Sequence, residues 1–282
     1  MSGSGNIVWL ASYPKSGNTW VRLLLGNLLN LKDDSSPQDE FTPVSGISSA
    51  RWQFEQVGGL NTYDLTPAEI DSLRPSVYRE IANADPAPTF IKVHDAYQLT
   101  ETGEAMFPAD CSRAVIYIVR NPLDVAVSYS HHLGELDLYR TVAMMQDNQR
   151  SIGGTNTDQL HQLLGSWSGH YRSWTNQDAI PVLVIRYEDL REDTAAQLKR
   201  IAGFAGLSPS SFAMTYADAV EASRFDKLQQ IEAQKGFVEK PQNAARFFRS
   251  GRSGEGKEKL GADLQSVLIA EHAEVMEKLG YI

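Results

Sequence analysis

NIVWLASYPKSGNTWVRLLLGNLLN, residues 6–30, decides the fold, because an apolar strand runs into a short polar loop and then directly into an amphipathic helix. Ile7, Val8, Trp9 and Leu10 read as a buried strand, while Val21, Leu24, Leu25, Leu28 and Leu29 recur at helical spacing. Tyr13 to Thr19 therefore lies at a helix N-terminus, where unpaired backbone N–H groups and the positive end of the dipole converge. Lys15 adds a full charge, so the segment reads as an anion cradle.

In the phosphate loop of nucleoside triphosphatases, G-x-x-x-x-G-K-[ST], a lysine follows the last glycine. Here Ser12 stands at the first glycine, Lys15 lies two residues before Gly17, and Asn18 and Thr19 follow. The lysine reach from the first helical turn to a terminal phosphate is missing. The loop suits some other phosphorylated nucleotide better than a triphosphate.

Further apolar strands are expected at Thr89 to Val93, Ala114 to Val119 and Val182 to Ile185, separated by helical stretches. That alternation predicts an α/β chain, a three-layer P-loop-like fold with a central mainly parallel sheet flanked by helices. Functional groups then collect at the C-terminal strand ends, where His94, Arg120 and Arg186-Tyr187 stand. Ala114 to Gly134 repeats the strand, turn and helix pattern, with Arg120 where a triphosphatase commonly supplies a magnesium carboxylate. A cation suits a phosphate better than a metal there, and Ser128, one turn past Asp124, faces the same side.

At 282 residues and 42% apolar composition the chain fits one domain, 1–282, better than two. Asp33 to Ser49 and Ser151 to Thr157 are expected to be surface loops within it. The formal net charge of −9 argues against a nucleic-acid surface, so any anion site must be local. MSGSGN lacks a signal-peptide pattern and no apolar run is long enough to span a bilayer, which predicts a cytoplasmic protein. Cys111, the single cysteine, reads as a packing residue.

YPKSGNTW, Tyr13 to Trp20, matches throughout the signature Y-P-K-[SA]-G-[TN]-[TS]-W, and on it the chain resembles the sulfotransferases that use 3′-phosphoadenosine-5′-phosphosulfate (PAPS). The resemblance implies that Lys15, Ser16, Gly17, Asn18, Thr19 and Trp20 bind this nucleotide, and that Arg120 and Ser128 hold its 3′-phosphate. Ser223-Arg224-Phe225 resembles the Thr-Ser-Phe segment and Tyr187 the Tyr-Glu-Asp element, so Ser223, Phe225 and Tyr187 would enclose adenine with Trp20. FFRSGRSGEGKEKL, Phe247 to Leu260, resembles the closing signature R-K-G-x-x-G-x-W-K and assigns Arg249, Ser250 and Gly251 to the nucleotide. Ser250 replaces a basic residue there and Gly256 the tryptophan.

Lys92 and His94 match the family's K-x-H element, and period-two alternation puts them on one side of an extended segment. The implied reaction moves a sulfuryl group from PAPS to a hydroxyl, or alternatively an amine, of a small-molecule acceptor, leaving 3′-phosphoadenosine-5′-phosphate (PAP) and using no metal. His94 is the expected general base, with Lys15 and Lys92 offsetting negative charge. Asp95, where the family has leucine, is left either to orient His94 or to replace it. His131 and His132 read as pocket lining or as a solvated helix end. His170 lies beside a stripe of Leu160, Leu164, Trp167, Tyr171 and Trp174 that reads as helical core. Trp52, Phe54, Tyr63, Tyr97, Leu133, Leu136 and Tyr139 are expected acceptor-pocket walls. The rivals are a nucleotide kinase or triphosphatase and a non-catalytic nucleotide-binding module. A homodimer rests on analogy alone.

Overall fold

The apolar run at Ile7 becomes the centre of a parallel sheet. A computed structural model describes residues 5–29, 46–134, 137–154, 157–240 and 244–282. Its strands are β1 (Ile7–Ala11), β2 (Gly46–Ile47), β3 (Thr89–Val93), β4 (Ser112–Val119), β5 (Ser151–Ile152), β6 (Gln162–Leu163) and β7 (Val182–Arg186). The helices are α1 (Asn18–Leu29), α2 (Arg51–Gly58), α3 (Pro67–Ala84), α4 (Pro122–His132), α5 (Leu138–Gln146) and α6 (Trp167–Thr175). They continue as α7 (Tyr187–Glu192), α8 (Thr194–Phe204), α9 (Tyr216–Ala222), α10 (Phe225–Lys235), α11 (Glu255–Lys259) and α12 (Ala262–Lys278).

Five strands pair in the order β2-β3-β1-β4-β7, every neighbour parallel. All five residues of β1 are buried, because both faces of the sheet are covered. Ile7, Trp9 and Ala11 face one core with Val115, Tyr117 and Val119 of β4, together with side chains of α4, α6 and α12. Val8 and Leu10 face the other with Ile116 and Ile118, closed by Val21, Leu24, Leu25 and Leu28 of α1 and by α8. The expected three-layer α/β arrangement is present. β1 pairs with β3 on one side and β4 on the other, so chain segments leaving their C-terminal ends diverge and open a crevice.

Three details differ from the sequence reading. Part of each expected surface loop is strand: β2 adds to the sheet edge, and β5 pairs antiparallel with β6 as a ribbon. Residues 33–45 and 155–156 of those loops lie outside the described residues. The stripe from Leu160 to Trp174 is buried throughout, but only its later part is helix, since Ser166 caps α6 by accepting from Gly169 N. Among the described residues no helix is long and apolar enough to cross a membrane.

Candidate functional site

The loop between β1 and α1 turns on two left-handed residues, Lys15 at φ 67° and Gly17 at φ 106°. Gly17 has a second reason to lack a side chain: a Cβ would stand 2.6 Å from the Tyr187 ring. Asn18 Nδ2 donates to Leu10 O at 2.7 Å and to Ser12 Oγ at 3.1 Å, tying the loop back to the strand it leaves. The loop is thus locked by its own residues with the first turn of α1 facing the crevice.

A cavity of about 620 Å³ opens there, within the usual range for small-molecule sites. Lys15, Gly17, Asn18, Thr19, Trp20, Lys92, His94, Arg120, Ser128, Tyr187, Phe225, Arg249, Ser250 and Gly251 all line it. Ser16 and Ser223 do not. Ser16 is buried within the loop. Ser223 is turned toward α1, where its hydroxyl accepts from Asn27 Nδ2 at 2.9 Å and its carbonyl from Trp20 Nε1 at 2.9 Å. Ser223 therefore holds Trp20 in place, a tertiary role its sequence position gave no sign of.

His94 is fixed through Nδ1. Its Nδ1 lies 2.8 Å from Ser12 O, and since a carbonyl only accepts, the proton sits on Nδ1 and Nε2 keeps the lone pair. Burial first, then the Lys92 ammonium, hold the imidazole well below its ordinary pKa, so it is neutral at pH 7. His170 lies behind it, fully buried: Tyr117 OH donates to His170 Nδ1 at 2.8 Å, and His170 Nε2 donates to His94 O at 3.0 Å. His170 is thus core support for the strand end and does not line the cavity. Asp95 neither orients nor replaces His94. Its carboxylate receives both Arg74 Nη1 at 2.7 Å and Nη2 at 2.9 Å, and both side chains are fully buried. Successive residues at a strand end face opposite ways, which carries Asp95 into the core when His94 faces the crevice.

Among the described residues, Lys15, Lys92, Arg120, Lys240 and Arg249 line the cavity. Burial, then Lys92, pulls Lys15 down to about 8, and its Nζ rests 4.4 Å over the Phe247 ring and 3.4 Å from His132 Nδ1. His132 is accordingly pocket lining, lowered to about 4 by burial and Lys15. Arg120 lies 4.5 Å over the Tyr187 ring and donates to Arg252 O at 2.7 Å. Its Nε is buried without a hydrogen-bond partner among the described residues, a donor that a bound anion would satisfy. Arg249 pairs with Glu255 at 2.6 Å. Arg186, also flagged at a strand end, leaves the crevice for Tyr281 and Asp189.

Asp124 and Glu239, like Glu255, escaped the sequence reading as functional groups. Asp124 accepts from Gly254 N at 2.9 Å and Gly256 N at 2.7 Å, clamping the Arg249 to Glu255 flap onto the first turn of α4. An acid there reads in sequence as an ordinary helix-start residue. The flap approaches so closely that a Cβ at Gly256 would lie 2.3 Å from the Leu123 backbone carbon, so the family's tryptophan has no room here. Glu239, from the segment after α10, reaches the cradle itself: Thr19 Oγ1 donates to it at 2.9 Å, Lys92 Nζ is 3.5 Å away, and Arg22 pairs with it. Burial pushes its carboxyl up, but Lys92 and Arg22 outweigh this and hold it far below the carboxylate range.

Of the expected acceptor walls, Leu133 lines the cavity. Trp52, Tyr63 and Tyr139 are exposed, Phe54 joins a separate core with Ile70 and Val77, and Tyr97 packs on Phe107 and Trp174. Leu136 lies outside the described residues. Ile47, Tyr129, Ile152, Gln159, Val238 and Phe247 take their place. Most stand far apart in the chain or on short edge pairings, which leave no periodic mark in sequence.

Fold and cavity define an α/β protein with a nucleotide-sized anion site at the C-terminal edge of a parallel sheet. Residues 6–280 match the family model of the sulfotransferase domain, and the chain belongs to that family. It is 27% identical over 202 residues to sulfotransferase 1B1 of the dog (Canis lupus familiaris), covering 69% of this chain and 57% of that protein. With flavonol 3-sulfotransferase of Flaveria bidentis it shares 26% identity over 270 residues, 89% of this chain and 76% of the relative. Mouse sulfotransferase SULT7A1, solved in complex with PAP, has the same fold at TM-score 0.60 and 21% identity, covering 96% of this chain and 85% of that one. Retinol dehydratase, solved with androsterone and PAP, does so at TM-score 0.56 and 18% identity, covering 96% and 80%.

Proposed function

We propose that this chain is one sulfotransferase domain, residues 1–282, that moves a sulfuryl group from PAPS to a hydroxyl, or alternatively an amine, of a small acceptor. The observation that carries this reading is the convergence on one cavity of the Lys15 loop, Arg120 with Ser128, and a neutral His94 with Nε2 unprotonated. Family membership over residues 6–280 supports it, as do relatives named for sulfotransferase activity and a neighbour solved with PAP.

Loop N–H groups from Gly17 to Thr19, with the Thr19 hydroxyl and Lys15, would hold the 5′-phosphosulfate end. Arg120, Ser128, Arg249, Ser250 and Gly251 would hold the 3′-phosphate, and the orphaned Arg120 Nε is a donor suited to it. Trp20, Tyr187 and Phe225 offer aromatic faces to adenine. PAPS, when bound, supplies the sulfuryl group and departs as PAP. His94 Nε2 takes the acceptor's proton as the hydroxyl oxygen approaches sulfur in line with the leaving phosphate. Lys15 and Lys92 counter the charge that accumulates on the leaving phosphate and the equatorial oxygens. Ser12 O and the His170 contact to the strand behind it keep the imidazole tautomer and position fixed.

His94→Gln tests the assignment, with turnover measured from labelled PAPS in a metabolite-extract screen and PAP affinity by calorimetry. Transfer is expected to fall about 10²- to 10⁴-fold while PAP affinity stays within about twofold. Unchanged transfer would remove His94 as base. Turnover requiring ATP and magnesium but not PAPS would point to a kinase instead.

A further inference from the structure

An electropositive cradle collects anions, and the anion it holds in this structure is the protein's own Glu239. Its Oε2 accepts from Thr19 Oγ1 at 2.9 Å and lies 3.5 Å from Lys92 Nζ, while Oε1 is paired with Arg22. The side chain is only 15% exposed and lines the cavity. Glu239 thus bridges α1 and β3 from a segment more than two hundred residues after the loop it touches. Thr19 and Lys92 are two of the groups assigned above to the 5′-phosphosulfate end and its charge, and this inference rests on that assignment.

A hydroxyl has one proton to donate, so Thr19 serves Glu239 or an incoming phosphate but not both. Lys92 has three N–H donors, but its charge is already partly offset by Glu239. Two anions confined to one poorly hydrated site also repel each other strongly. We infer that Glu239 is a built-in competitor for the nucleotide's 5′ acidic group, occupying its seat until the cosubstrate displaces the carboxylate. The competition is specific to that end of the ligand. Among the described residues, Arg120 bonds to Arg252 O and Arg249 to Glu255, and no hydrogen bond or ion pair joins either to Glu239. Cosubstrate affinity is therefore set by the difference between two anions' claims on the same donors. A ligand without a 5′ phosphate leaves Glu239 where it is and has nothing to displace.

Calorimetric titration of PAP and of adenosine 3′-monophosphate into wild-type, Glu239→Gln and Glu239→Asp proteins at fixed ionic strength tests this. Glutamine removes the charge at constant shape. Aspartate keeps the charge near Arg22 but withdraws the carboxylate by one methylene, which guards against a glutamine variant that fails to fold. Both variants should bind PAP about tenfold tighter than wild type, roughly 1.4 kcal/mol, with monophosphate affinity within about twofold. Unchanged or weaker PAP binding in the folded variants overturns the inference, as does an equal gain for the monophosphate. Wild-type protein that binds neither nucleotide sinks the PAPS assignment itself, and the competitor role with it.

Discussion

The loop at Tyr13–Trp20 and the flap at Phe247–Glu255 face the same cavity, yet they are held in opposite ways. The loop's backbone turn is closed by neighbours, Asn18 bonding to Leu10 and Ser12 and Trp20 N to Gly17 O, while distant Ser223 and Glu239 reach only the Trp20 and Thr19 side chains and Arg120 makes one long contact to Lys15 O at 3.4 Å. The flap is held by distant groups. Asp124 grips Gly254 and Gly256, Arg120 holds Arg252 O, Tyr187 OH donates to Gly251 O at 2.9 Å, and Glu232 accepts from Phe247 N and Phe248 N. A locally closed loop presents its donors whether or not the flap is seated, whereas the flap's order depends on the rest of the fold. Chemistry should therefore fail when the loop's charge is lost, and affinity should fail when the flap's anchors are lost.

Lys15→Met should give the largest effect, lowering transfer about 10³-fold with thermal stability retained, because it removes charge where charge develops. A loss confined to KM for PAPS would break the contrast. Asp124→Asn should act on affinity, weakening PAP binding about 10- to 100-fold by calorimetry and leaving kcat at saturating PAPS nearly intact, since Gly254 N and Gly256 N use separate carboxylate oxygens and the amide sets an NH2 donor against one of them. An equal fall in kcat would mean that the clamp also aims the reacting groups.

Gly256→Ala sharpens the same point at smaller scale. The added methyl meets Leu123 backbone, so about 1–3 kcal/mol of stability should be lost in urea unfolding, with a several-fold weaker hold on PAP. The mildest effect near neutral pH is a pH limb. Lys15 must stay protonated and sits at about 8, so kcat/KM for PAPS should halve near pH 8 and drop roughly tenfold by pH 9. Lys15→Arg should abolish that limb. His94, lowered by burial, keeps its neutral form at pH 6.5, which places the acid limb of the same profile below that value.

The parallel sheet and one wall of the cavity were legible in the chain, because β1, α1 and the loop between them are specified within one window of apolar spacing and one glycine. Lys92 and His94 were legible for the same reason, since strand alternation is a local rule. Ser223, Asp95 and the acceptor walls were not. Ser223 turns toward Trp20 and Asn27, Asp95 pairs with Arg74, and Phe54 joins a core between α2 and α3, all through packing partners that no local period encodes.

By itself, then, the sequence determined the anion-binding loop, the sheet that carries it and the imidazole beside it, because each is written in residues close together along the chain. Only the tertiary structure decided that Asp124 clamps the flap, that Asp95 is spent on Arg74, and that Glu239 sits in the cradle. Those pairings join groups tens to hundreds of residues apart. Their free energy comes from burying opposite charges and satisfying backbone donors, and chain folding alone sets which partners meet.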